Sequence, residues 1–130
     1  MYVSMKNMLA DANEKGYAIM AINCFKLLFT TILFVMMRIT TQRHNTLTQT
    51  HLLTRCDSEL IAPVVKTLAE RAKVGVALNL DHGEEKEYII KAIDDGFSSV
   101  MADMSRFELD ENIRRTREIA DYAHSHGASI

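Results

Sequence analysis

Apolar and polar positions divide most of the chain into short alternating elements. Ser4 stands where a cap belongs, before a helix expected over Met5 to Glu14 and closed by Gly16. Tyr17 to Asn23 is an apolar run of strand length. After Asp57, the residues Leu60, Ile61, Val64, Val65, Leu68, Ala69 and Ala72 recur at helical spacing and predict one broad apolar face. Pro63 is then expected near the first turn, where a missing N–H does least harm. Val74 to Leu80 is almost continuously apolar, the pattern of a strand covered on both faces. Glu84 to Asp95 predicts a helix with Tyr88, Ile89, Ala92 and Ile93 inward and Gly96 as its stop. Phe97 to Ala102 predicts another strand, ending at Asp103. Leu109, Ile113, Thr116, Ile119, Ala120 and Ala123 mark one face of a longer helix ended by Gly127, and Ala128 to Ile130 begins a further strand. Strand and helix alternate here in the manner of right-handed parallel βαβ units.

Residues 24 to 56 do not fit that rhythm, because helix and strand patterns overlap in them. No acid lies between Lys15 and Cys56, and the tract contains the largely apolar run Phe25 to Met37. A membrane span needs about 20 predominantly apolar residues, whereas Lys26 interrupts this run and Arg38 ends it. It also lies too far from the start of the chain to be a signal peptide. A buried helix or strand is the expectation, with no membrane partner. Beyond this tract the composition is that of a globular domain, 48% hydrophobic and 25% charged over 130 residues. The net charge of −2 argues against a nucleic-acid partner, which calls for a basic excess. Cys24 and Cys56 are too few for a disulfide scaffold, so a reducing, cytoplasmic location is expected.

In a parallel α/β fold, chemistry gathers where strands run out into the following helices. Asn23, the pair Asp81-His82, and Asp103 occupy such positions. An imidazole and carboxylates converging on one rim hold a divalent metal or move protons. Plainer accounts exist for each. Asp81-His82-Gly83 also describes a turn with a helix cap, Asp103 an N-cap, and Asn23 a turn former. His124 and His126 are two apart and point different ways on a helix, whose C-terminal dipole they complement. Glu84, Glu85 and Glu87 complement a helix N-terminus. His44 and His51 fall in the ambiguous tract.

The ordered segments carry a resemblance. Lys6-Asn7-Met8-Leu9 with Gly16-Tyr17-Ala18, Ala21-Ile22-Asn23, Val76 through Leu80-Asp81-His82-Gly83, Gly96 through Ala102-Asp103, and Glu111-Asn112-Ile113 through Ala123-His124 resemble the N-terminal half of class II, zinc-dependent fructose- and tagatose-bisphosphate aldolases. The resemblance covers residues 1 to 24 and about 57 to 130. It implies an α/β fold, about half of a (β/α)₈ TIM barrel whose full form has about 250 residues. It implies Asp81 as the proton donor and acceptor at the substrate C4 hydroxyl, and His82 as the first of three zinc histidines. It also implies Asp103 as a carboxylate of an alternative metal position, and it leaves Asn23 as the candidate for substrate binding. The implied cofactor is zinc, a Lewis acid on the ketose carbonyl, and the implied substrate is a phosphorylated ketose.

The chain departs from the family in three places. Asn79 stands where many members have His, and Met104-Ser105-Arg106 replaces the usual Gly-Ser-His. Residues 25 to about 50 lack the acid-containing amphipathic helix that the family has, which reads as translation out of frame with the family frame restored near Leu52. The chain also stops inside its fifth strand, with the other two zinc histidines expected downstream. Alone it is therefore expected to be inactive and, as half a barrel with unpaired strand edges, to self-associate.

Overall fold

The computed structural model describes residues 1–23, 44–50 and 58–130. Cys24, Cys56, His51 and the largely apolar run 25–37 lie outside the described residues. In chain order the elements are α1 (Met5–Lys15), β1 (Met20–Asn23), β2 (His44–Thr50), α2 (Ser58–Arg71), β3 (Gly75–Gly83), α3 (Lys86–Asp95), β4 (Ser99–Ala102) and α4 (Leu109–Ser125). The strands form one parallel sheet in the order β1-β2-β3-β4. Sequential parallel neighbours, with helices α2 and α3 joining β2 to β3 and β3 to β4, are the layout of an α/β barrel wall.

β3 shows why its sequence reads as a covered strand. Val76, Leu78 and Leu80 are at most 1% exposed and pack with Ile61, Val65, Ala69, Ile89, Ile93, Ile119 and Ala123 from α2, α3 and α4. Their alternates Asn79 and Asp81 face the other way, into an open groove. Ser98 ties the next segment to β3, its hydroxyl accepting from Leu78 N and donating to Leu78 O, both at 3.1 Å. Residues 1–3 pair with the base of the same strand, Val3 N donating to Val76 O at 2.9 Å.

Several boundaries differ from the sequence expectation. β1 begins at Met20 rather than Tyr17, and β3 continues through Asp81-His82-Gly83 rather than stopping at Leu80. Ser4 occupies the N-cap of α1, but its side chain makes no capping bond. Pro63 lies in the second turn of α2, because that helix starts at Ser58. The missing N–H strands the carbonyl of Glu59, an exposed residue that water reaches. Leu60, Leu109 and Ile113 are 59%, 72% and 49% exposed, although the periodicity placed them inward. Apolar spacing identifies a helix face but not which part of it meets a neighbour. Within the atypical tract, His44–Thr50 does form a strand, in register with Met20–Asn23 on one side and Gly75–Asp81 on the other. The chain's last residues begin to pair with β4, Ser129 bridging Ser99.

Polar links join the helices outside the core. Ser58 Oγ donates to Asp95 Oδ2 at 2.6 Å, and Lys86 pairs with Glu118 at 2.7 Å. Tyr122 OH donates to Asp94 at 2.7 Å, and within α4 Arg115 donates to Glu111 at 2.6 Å. Exposed ion pairs such as Lys86–Glu118 add little each. His126 caps the end of α4 and stacks on Tyr122 with ring centroids 4.1 Å apart, which accounts for it structurally. Among the described residues, no helix is long and apolar enough to cross a membrane.

Candidate functional site at the strand ends

The last residues of β3 do not follow the regular ladder. Leu80 pairs with Val100 and Gly83 with Ala102, so Asp81 and His82 together oppose a single residue, Met101. This is a β-bulge, which bends a strand and re-aims its side chains. His82 absorbs the irregularity with φ of 51°, the one non-glycine residue with positive φ among those described. A β-carbon costs energy there, and such outliers cluster at functional sites. Gly83 is required for a different reason. A Cβ on it would lie 2.6 Å from Ile89 Cγ1 and 2.7 Å from the Met101 carbonyl oxygen.

The bulge separates two neighbours. Asp81 lines the groove of about 630 Å³ with Ile19, Ala21, Asn79, Ser99 and Met101. His82 instead turns toward β4, its Nδ1 lying 2.9 Å from Asp103 Oδ2. The imidazole is half exposed and the Asp103 carboxylate 23% exposed. Hydrogen bonding to Asp103, with the nearby charge of Asp81, raises the His82 pKa above its ordinary value. Asp103 is held down at about 2, first by the hydrogen bond from Ser105 and then by His82. Asp103 also donates its backbone N–H to the Gly83 carbonyl at 2.8 Å and accepts from Ser105 N at 3.2 Å. The Asp103 side chain therefore bonds across to His82 as well as to its own turn, which goes beyond the plain cap reading.

Asn23 ends β1 in register with Thr48, which in turn pairs with Asn79. It shares the rim of Asp81 at the C-terminal end of the strands, two strands away. Met104, at the position of the family glycine, is 2% exposed and anchors its loop in the core. Arg106 contributes something that spacing did not reveal. Its Nη2 donates to Glu84 O at 3.3 Å and Glu85 Oε1 at 3.0 Å, joining the loop after β4 to the loop after β3. The only sequence signal was its departure from the usual histidine.

Catalytic zinc requires three protein ligands and an open position. Among the described residues, no group of three His, Cys, Asp or Glu side chains gathers as a metal site. His82 and Asp103 are joined to one another instead. These residues do not by themselves fit the ion.

Parallel strands with alternating helices, matched to half of known barrels and carrying their polar groups at the strand ends, define a partial TIM barrel of the aldolase type. The putative fructose-1,6-biphosphate aldolase of Coccidioides immitis superposes with a TM-score of 0.83 at 28% identity, over 95% of this chain and 48% of that one. The YdjI aldolase of Escherichia coli K12 superposes with a TM-score of 0.85 at 26% identity, over 98% and 48%. The class-II fructose-bisphosphate aldolase family matches residues 3–130, and the chain belongs to it. Similar curated proteins are the 6-phospho-5-dehydro-2-deoxy-D-gluconate aldolase of Bacillus velezensis, 36% identical over 99% of this chain, and the fructose-bisphosphate aldolase of Staphylococcus aureus, 32% identical over 98%. The chain spans 46% of the length of each.

Proposed function

We propose that the chain carries the N-terminal half of the machinery of a class II aldolase. The reaction is reversible cleavage of fructose- or tagatose-1,6-bisphosphate to dihydroxyacetone phosphate and glyceraldehyde 3-phosphate. Asp81 exchanges the proton of the C4 hydroxyl, His82 and Asp103 belong to the metal side of the site, and Asn23 meets substrate. The observation that carries this reading is the placement of Asp81: a carboxylate at the end of β3, lining the groove, with His82 and Asp103 on the same rim. A carboxylate so placed reaches a hydroxyl of a sugar lying in the groove. Zinc, with His82 among the residues that would hold it once further ligands complete the set, would act as a Lewis acid on the substrate carbonyl. A cytoplasmic location goes with this metabolic role.

The site is partial, and this favours a second reading for the 130 residues alone: an inactive remnant, or a half-barrel that works only with a complementary half. Purified chain supplied with zinc is expected to release no dihydroxyacetone phosphate from either bisphosphate; turnover by the chain alone overturns the partial-site reading. A chimera tests the aldolase reading itself. Fused to the C-terminal half of the Staphylococcus aureus relative, these residues are expected to support cleavage, with Asp81→Asn lowering kcat by ~10²-fold or more. A folded chimera without activity, or one indifferent to Asp81→Asn, sinks the proposal.

We also read residues 25–50 as an atypical part of one domain, 1–130, translated out of frame. Coding DNA in which no other frame encodes a family-like helix and strand ends that reading. Leu9, Met101 and Ile130 line the groove and are exposed, so the chain is expected to self-associate. A clean monomer on size-exclusion chromatography contradicts that expectation.

A further inference from the structure

We propose that the loop following β4 is a brace that sets the orientation of the His82 imidazole, with Asp103 and Arg106 as its positioning residues. The inference deepens the reading of His82 as a working residue, and it rests on that reading only for why the ring's orientation matters. Four bonds cross from this loop to the end of β3 and the residues that follow it. The Asp103 carboxylate meets His82 Nδ1 at 2.9 Å, the Asp103 N–H meets the Gly83 carbonyl at 2.8 Å, and Arg106 holds both Glu84 O and Glu85 Oε1. They hold His82 and the three residues that follow its left-handed backbone turn, a conformation that persists only when its surroundings over-determine it.

The brace is itself anchored. Met104 is buried in the core, and its carbonyl accepts from Asn112 Nδ2 at 2.9 Å and from Phe107 N at 3.0 Å. The guanidinium groups of Arg106 and Arg115 lie 4.9 and 4.1 Å from the Phe107 ring centroid. Arg106 therefore reaches Glu85 from a loop fixed at both ends. An ionised carboxylate only accepts hydrogen bonds, so the proton of a neutral His82 must sit on Nδ1. The brace thereby selects the tautomer as well as the direction of the ring. A carboxylate that fixes the tautomer of a histidine acts through that histidine, and this is the positioning role of Asp103.

The test reads the tautomer directly. The ¹⁵N-labelled 130-residue chain is examined by long-range proton–nitrogen correlation at a pH where the imidazole is neutral, with His82→Gln assigning its signals. The wild type is expected as the Nδ1–H form. Asp103→Ala is expected to make the Nε2–H form the major one, as is Asp103→Asn, whose amide N–H can donate to a bare Nδ1, while Asp103→Glu, which keeps an accepting carboxylate, retains Nδ1–H. Arg106→Gln is expected to give both forms, and Arg106→Lys, which keeps a cation for Glu85, to match the wild type. An Nε2–H wild type, an Nδ1–H form that persists in Asp103→Ala, or an unchanged ratio in Arg106→Gln each overturns the brace. If Asp103→Ala fails to fold, the wild-type tautomer and the Arg106 pair still decide. Absence of aldolase activity leaves this readout untouched, so the two proposals fail separately.

Discussion

The two faces of β3 run along the same nine residues and behave in opposite ways. On one face Val76, Leu78 and Leu80 are sealed beneath three helices; on the other, Asn79 and Asp81 line an open groove. The first face holds the fold together by removing apolar surface from water. The second carries carboxylate and amide groups into the groove. The bulge at Asp81 and His82 ends this simple alternation and sends the two neighbours to different tasks. A strand can therefore be both a structural core and a chemical rim, provided the period-2 pattern is broken at the right residue.

The sharpest way to break the comparison is to hollow out the covered face. Leu78→Ala removes a side chain 1% exposed among three helices and is expected to cost about 3 kcal/mol in a urea melt. A loss under about 1 kcal/mol would mean that the helices do not pack as described. Next comes the point where the faces meet. Gly83→Ala drives a methyl group against Ile89 and the Met101 carbonyl and is expected to cost about 2 kcal/mol, read by thermal unfolding.

A weaker effect belongs to the rim pair, and it depends on pH. His82 is raised above 6.5, so its contribution is complete below that value and fades as pH rises through the raised one. Asp103 is lowered from 3.8 to about 2, so its contribution is complete above 3.8 and lost as pH falls through about 2. The gap in Tm between wild type and Asp103→Ala is expected to be widest from about 3.8 to about 6.5 and to narrow on either side. A gap independent of pH would show that the pair is not an ion pair in the folded chain. The smallest effect is expected on the groove face. Asp81→Asn should change stability by no more than ~0.5 kcal/mol, because the residue serves the groove rather than the core. A large loss there would return Asp81 to the structural account of a turn and cap.

Much of this was legible along the chain. Runs such as Val74 to Leu80 and the helical spacing of Ile89, Ala92 and Ile93 state their own periodicity, since burial under helices leaves only apolar residues. The Asp-His-Gly segment and Asp103 were legible as strand-end residues of one rim. Arg106 was not, because a loop arginine has no period and its partners Glu84 and Glu85 lie in another loop. Leu60, Leu109 and Ile113 were misplaced for a related reason: their spacing says they belong to a helix face, while their burial depends on which neighbour lies opposite. The atypical tract gave no usable pattern, yet His44–Thr50 takes a place in the sheet that its backbone pairing defines.

Outside residues 24 to 56, the order of strands and helices, the covered face of β3 and the strand-end position of Asp81, His82 and Asp103 were determined by sequence alone, because local periodicity and strand-end placement need no knowledge of distant neighbours. The bulge, the left-handed turn at His82 and the contacts of Asp103 and Arg106 across the rim were decided only in three dimensions. They arise where two loops more than twenty residues apart meet, and no local rule of spacing encodes such a meeting.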